Sequence, residues 1–211
     1  TAAGLWRMAR LEANVRGSSF GYLIKEGFRN LRQNGIRALR LDEGDRLVSV
    51  LETDGQSRVL IATYDGMAVC FDENDVRSMG REAVGVRGIR LREGDRVVGA
   101  ARAVDGCQVL SITERGFGKQ TPVEEYRVTN RGGIGIKNYM VTDKTGGVVG
   151  MKVVDGSEDI LLITQSGIML RTAVENIRSA GRATQGVIVM RFKEEGDRVI
   201  AMALTDKEEE E

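Results

Sequence analysis

Glu43-Gly44-Asp45-Arg46-Leu47-Val48 recurs as Glu93-Gly94-Asp95-Arg96-Val97-Val98 and again as Glu195-Gly196-Asp197-Arg198-Val199-Ile200. The first interval is 50 residues and the second 102, so one copy falls between them, where Thr145-Gly146-Gly147-Val148-Val149 stands in degenerate form. Other landmarks keep the same beat. Asp54-Gly55, Asp105-Gly106 and Asp155-Gly156 are 51 and 50 residues apart. A second turn glycine falls at Gly66, Gly116 and Gly167, and a closing glycine precedes an apolar run at Gly35, Gly85, Gly135 and Gly186. Several marker sets on one period identify a repeat architecture.

Within each unit the local pattern is β. Asp45 to Glu52 alternates apolar and polar side chains, and Gly85 to Leu91 is a further apolar run. Arg58 to Thr63 and Met67 to Phe71 flank Asp65-Gly66, a hairpin signal because a type I′ turn needs the positive φ that Asp and Gly tolerate. Four strands in about 50 residues suit a propeller blade. The expected fold is all-β, a propeller-like ring or β-pinwheel of four-stranded blades, with helical turns at most around Asp72 to Val76 and Thr121 to Tyr126. One four-stranded sheet cannot bury both faces alone, so neighbouring blades share a core. Val59-Leu60-Ile61, Val109, Leu110, Ile112 and Ile160-Leu161-Leu162-Ile163 are its candidates. The expected organisation is a single domain over residues 1–206: a partial blade at 1–41, then blades at about 42–92, 93–142 and 143–206, with an acidic tail starting at 207–211. Gly4-Leu5-Trp6-Arg7 and Asn14-Val15-Arg16 have no evident partner strand, and Gly21 to Gly35 reads as the second half of a unit.

Composition narrows the function classes. Histidine is absent, which removes most zinc, iron and copper sites and every His-based triad, so no metal and no cofactor are expected. Cys70 and Cys107 are too few for a disulfide framework and read as small buried hydrophobes. There is no apolar run long enough to span a bilayer and no secretory leader, so no membrane partner and a cytoplasmic location are expected. Net charge is zero, yet one of the 31 basic and four of the 31 acidic residues lie in Lys207 to Glu211, leaving a body of 30 against 27. A nucleic-acid partner would therefore depend on where the charges sit.

The segment between hairpin and last strand places them. It reads Asn30 to Gly35, Val76 to Gly85, Arg127 to Gly135 and Ile177 to Gly186, with an arginine near each start and a second one before the closing glycine in the last three. Glycines let backbone N–H groups approach a phosphate and arginine offers a matching planar fork. Candidate phosphate contacts are Lys25, Arg32, Arg77, Arg81, Lys119, Arg127, Arg131, Lys137, Arg171, Arg178 and Arg182. With no recognition helix or zinc finger, contact with a nucleic acid would be to phosphates, not to base edges.

Residues 21 to 204, and above all Glu114 to Arg127, Ile163 to Thr172 and Gly181 to Val187, resemble the C-terminal β-pinwheel of the DNA gyrase A family and its topoisomerase IV relative. The resemblance implies a noncatalytic domain of an ATP-dependent type II DNA topoisomerase. Its basic rim would bind duplex DNA without sequence preference and wrap it with a defined hand, in support of negative supercoiling. The remainder of gyrase A and the whole of gyrase B would be its partners, and alone it would be a monomer. The gyrase box of that family is Q-R-R-G-G-K-G. Thr129-Asn130-Arg131-Gly132-Gly133-Ile134-Gly135 matches it at four of seven positions, without the lysine, as a degenerate copy. The acidic residues from Glu208 also fit the end of gyrase A. A rival reading is a propeller-type protein–protein scaffold, although WD40 signatures are missing. An enzyme using Tyr126 or Tyr139 as nucleophile would need a repeated or clustered set of arginines and carboxylates, which the sequence lacks.

Overall fold

The computed structural model describes residues 5–11, 18–24, 40, 41, 43, 46–79 and 83–207. The strands, in chain order, are β1 (Leu5–Leu11), β2 (Ser18–Ile24), β3 (Arg46–Thr53), β4 (Arg58–Thr63), β5 (Met67–Asp72), β6 (Val86–Ile89), β7 (Val97–Ala103), β8 (Gln108–Thr113), β9 (Phe117–Pro122), β10 (Ile136–Lys137), β11 (Val148–Val154), β12 (Glu158–Thr164), β13 (Met169–Ala173), β14 (Val187–Ile188) and β15 (Val199–Asp206). Single 3₁₀ turns at Glu73–Asp75 and Val123–Glu125 are the helical turns that the sequence suggests, and a third, at Val174–Asn176, holds the same place in the next unit.

The sheets are ordered β3-β1-β2-β6, β7-β4-β5-β10, β11-β8-β9-β14 and β15-β12-β13. Each has the same logic: a hairpin from one unit lies between strands of the next, a long one on its first strand and, in all but the last, a short one on its second. The strand boundaries agree with the sequence pattern, but each sheet combines two successive units. This also gives Leu5–Leu11 its partners, since β1 pairs with β2 and β3. All the mapped pairings are antiparallel, such as Leu60↔Cys70 and Leu60↔Ala101. Register slips at Ala62/Thr63 and Ile163/Thr164 mark bulges at the hairpin end, where an extra residue increases twist.

The chain divides into two compact units, one of residues 1–63, 68–103 and 127–136, the other of 64–67, 104–126 and 137–211. Val59, Ile61, Val69, Phe71, Val76, Ile89, Val97 and Ala100 form the core of the first. The second is built on Leu110, Ile112, Val154, Ile160, Leu162, Val174, Ile177, Met190 and Val199. Hairpin strands are buried on both faces: β4 has Val59, Leu60, Ile61 and Ala62 all at 0% exposure, so alternation is lost there. Leu161 and Ile163 are only half-buried. Cys70 is buried, as expected, whereas Cys107 is half-buried. Desolvation, then the carboxylates of Asp155, Glu158 and Glu124, push its thiol pKa up, which disfavours the reactive thiolate.

Two details refine the turn chemistry. The N–H groups of Gly116 and Gly167 donate to the Thr113 and Thr164 carbonyls, each at 3.0 Å. Glycine is thus the fourth residue of these turns, and the hairpins use a longer connection than the two-residue type I′ turn. The closing glycine has a separate reason. Gly186 has φ +69°, and a Cβ there would stand 2.3 Å from the Gly118 carbonyl oxygen, because β14 lies on β9. Gly186→Ala should therefore cost at least about 3 kcal/mol, combining left-handed strain with a backbone clash. Gly167→Ala, with φ +85° and open space around it, should cost about 1 kcal/mol, and denaturant unfolding of the two variants checks the difference.

Candidate nucleic-acid interface

Each of the three described basic connections starts from a 3₁₀ turn whose first carbonyl accepts from the residue that follows the turn. The N–H groups of Val76, Tyr126 and Ile177 donate to Glu73, Val123 and Val174 at 3.1, 2.9 and 2.9 Å. Those three side chains are buried at 3%, 2% and 3% exposure, so the next residue is forced outward. It is an arginine every time: Arg77, Arg127 and Arg178, all exposed. One position on, Val128 forms a parallel bridge with Cys70, and Ser179 one with Gln120. The connection is thereby pinned along the hairpin strand of the preceding unit, and the arginine is held where it leaves the core.

The second arginine has a different part. Arg131 Nε donates to the Asp75 carbonyl at 2.9 Å and its Nη1 to the Arg87 carbonyl at 3.3 Å. The equivalent Arg182 donates from Nη1 to the Lys137 carbonyl at 2.8 Å, with Nε 3.9 Å from the Glu125 carboxylate. Its guanidinium also lies 6.0 Å from the centre of the Tyr126 ring. Both side chains are half-buried clamps between the loop and the short strand that precedes it in sequence. In the loop 129–135, Gly132 N–H donates to the Gly88 carbonyl at 2.6 Å and Arg90 N–H to the Gly133 carbonyl at 2.8 Å. The degenerate box is thus folded onto β6, a strand of the preceding sheet.

Three further candidates sort differently again. Lys137 is exposed on β10. Arg171 is half-buried, bonded to Asp159 Oδ2 at 2.8 Å and to the Asp206 carbonyl at 2.9 Å, so its charge is already paired. Lys119, expected to contact phosphate, is corrected: its side chain is at 0% exposure, and its ammonium donates to the carbonyls of Gly181, at 2.7 Å, and Arg182. Desolvation lowers its pKa to about 8, with the Arg182 charge lowering it further and Glu125 opposing. Lys25, Arg32 and Arg81 lie outside the described residues, as does the acidic run from Glu208. Arg87, absent from the sequence candidates, is exposed on β6 at the place Lys137 takes on β10. Its position two residues after a closing glycine, like that of Lys137, was the available signal.

Tyr126 and Tyr139 are unsuited to nucleophilic attack. They are 2% and 1% exposed, their hydroxyls donate to the Asn138 side chain and the Gln185 carbonyl, and burial pushes both phenol pKa values up.

A family model described as "DNA gyrase C-terminal domain, beta-propeller" matches residues 26–54, 57–103, 108–155 and 158–206. The chain is 54% identical over 202 residues to the DNA gyrase A protein of Streptococcus pyogenes serotype M3, covering 92% of this chain and 24% of that protein. It is 53% identical over 184 residues to the DNA gyrase A protein of Halalkalibacterium halodurans, covering 87% and 22%. The chain thus spans about a quarter of the length of these relatives. Among solved structures, the C-terminal domain of DNA topoisomerase IV matches with a TM-score of 0.87 at 24% identity, over 97% of this chain and 62% of that one. A DNA gyrase A C-terminal domain matches with a TM-score of 0.82 at 22% identity, over 97% and 66%. These two likenesses bear on the fold.

The two classes of arginine should separate in stability measurements. Arg182→Ala removes a hydrogen bond from a charged donor and should cost about 1–3 kcal/mol of unfolding free energy. Arg178→Ala, at an exposed side chain, should stay within about 0.5 kcal/mol in the same denaturant titration.

Proposed function

Because the chain belongs to the DNA gyrase C-terminal domain family, we propose that it binds duplex DNA through phosphates and wraps it with a defined hand. The observation that carries this reading is the exposed arginine at one position of three successive units, Arg77, Arg127 and Arg178. Each guanidinium stands outside a buried anchor, so it meets a phosphate without first leaving the fold. Arg87 and Lys137 add positive charge on the short strands. Arg131 and Arg182 support the loops from behind, and Lys119 and Arg171 have no free charge to offer.

Phosphate contacts carry no sequence information, so binding is sequence-tolerant. Bending a 20–30 base-pair site by 40–90° costs roughly 1–6 kcal/mol, which requires several contacts in concert and explains the use of a repeat. Within a complete gyrase, the remainder of gyrase A together with gyrase B would supply DNA cleavage and ATP use in the cytoplasm, and this noncatalytic part would present the duplex to them in support of negative supercoiling.

Affinity for linear duplex should fall steeply with salt, by about 0.9 decades per neutralised phosphate per decade of salt. Replacing Arg77, Arg127 and Arg178 with glutamine together should reduce that slope by about 2.7. Plasmid relaxed in the presence of the chain should retain supercoils of one sign. An affinity indifferent to salt, or retained supercoils absent at saturation, would sink the proposal.

A further inference from the structure

The stretch from Val174 to Gln185 is fastened to its sheet by carbonyl oxygens. Gln120 Nε2 donates to the carbonyls of Val174 at 2.9 Å and Ile177 at 2.6 Å, and the Gln120 N–H to that of Arg178 at 3.1 Å. The Thr121 hydroxyl takes the Ala180 carbonyl at 2.8 Å, and the Tyr139 hydroxyl takes that of Gln185. The Lys119 ammonium takes two more, those of Gly181 and Arg182. A trans peptide is planar with its N–H opposed to its C=O, and the described backbone has no cis peptide. Drawing a carbonyl toward the sheet therefore turns the next residue's N–H away from it. The groups so turned include the N–H of Arg178, Ser179, Gly181, Arg182 and Ala183, and all of these residues but the half-buried Arg182 are exposed. One of them already meets an anionic oxygen, the Arg182 N–H on the Glu125 carboxylate at 3.2 Å.

We propose that Lys119 is a positioning residue for DNA: its buried ammonium turns the Ala183 N–H group outward, where with Arg178 it takes a backbone phosphate. This rests on the reading of the chain as a DNA-binding domain. Lysine suits the position because two carbonyls converge there, and an ammonium forms stronger, charge-assisted bonds to them than a neutral donor. The 0% exposure of its side chain keeps it from touching DNA itself. The equivalent residues of the other hairpins, 50 residues before and 51 after, are Val69 and Leu170, so neither of those hairpins has an ammonium at this place. The Tyr139 ring, its centre 5.0 Å from the ammonium, completes the enclosure.

The test uses the full chain, with Lys119→Met, Lys119→Gln and Arg178→Gln, in duplex binding over a salt series. Loss of one well-aligned charge-assisted bond predicts roughly tenfold weaker binding for Lys119→Met at fixed salt. Its salt slope should match that of the unmodified chain, because no phosphate loses a cation, while Arg178→Gln should lose about 0.9 of slope. Unchanged affinity, or a slope reduced as for Arg178→Gln, overturns the proposal. A pH series gives a second readout that simple destabilisation does not imitate. The charged groups facing Lys119 are Arg182 and Glu125, the aromatic neighbour is Tyr139, and the protein has no histidine. The ammonium is lost as pH rises through about 8, so affinity should fall across that interval in the unmodified chain and stay flat in Lys119→Met. If both Lys119 variants fail to fold, a flat pH profile of the unmodified chain overturns the proposal and a fall near 8 supports it. If the unmodified chain binds no duplex at low salt, the DNA-binding reading itself fails. The positioning claim is then judged with inorganic phosphate: a shift of the Ala183 amide resonance that Lys119→Gln abolishes upholds it, and an equal or absent shift in both overturns it.

Discussion

A β-hairpin has two open edges, and in this chain its own repeat does not close them. Backbone N–H and C=O groups left unpaired inside a protein cost about as much as a lost hydrogen bond. The following unit meets this demand, laying its long strand on one edge of the hairpin and a short strand on the other. Each unit is therefore bound to the previous one by main-chain ladders as well as by side-chain packing. The burial of hairpin strands on both faces follows from the same arrangement, since a strand that is central in its sheet and stacked against other apolar groups has no wet side.

This exchange also sets where the loop arginines stand. To reach back to the preceding hairpin, the chain must cross from the 3₁₀ turn to the short strand. That crossing is the glycine- and arginine-rich connection. Where it leaves the core, behind Val76, Tyr126 or Ile177, the arginine stands in solvent. Where it folds onto the sheet, the arginine is turned inward and bonds to carbonyls of the short strand that precedes it. Two arginines a few residues apart in one loop thus divide into a presenter and a clamp. The division is set by which side of the parallel bridge at Val128 or Ser179 each one occupies.

Hairpins, turn glycines and the period of the repeat were legible because they are local: alternation, positive φ at Gly66 or Gly116, and apolar runs of strand length need no knowledge of distant partners. The exchange of strands was not, since pairing Leu60 with Ala101 is a choice among several equally apolar runs. The loops are legible, but their arginines look alike in sequence, and nothing in the residues around Arg131 or Arg182 distinguishes a clamp from an exposed side chain. Lys119 is the instructive case. It was placed with the basic groups for its charge, yet aligned with its counterparts Val69 and Leu170 it falls at a core position. A charged residue in an apolar column signals a buried polar partner, here two loop carbonyls.

Shared sheets have a bearing on how such a chain changes length over evolutionary time. A duplication or deletion of one whole period leaves each surviving hairpin beside a long and a short strand of the usual kind, so every junction is chemically equivalent to the one it replaces. A partial copy does not, because it leaves a ladder with no complement. Growth by tandem copying is consequently quantised, and the copies stay free to drift one at a time, as the degenerate turn at Thr145 to Val149 and the lone lysine at 119 illustrate.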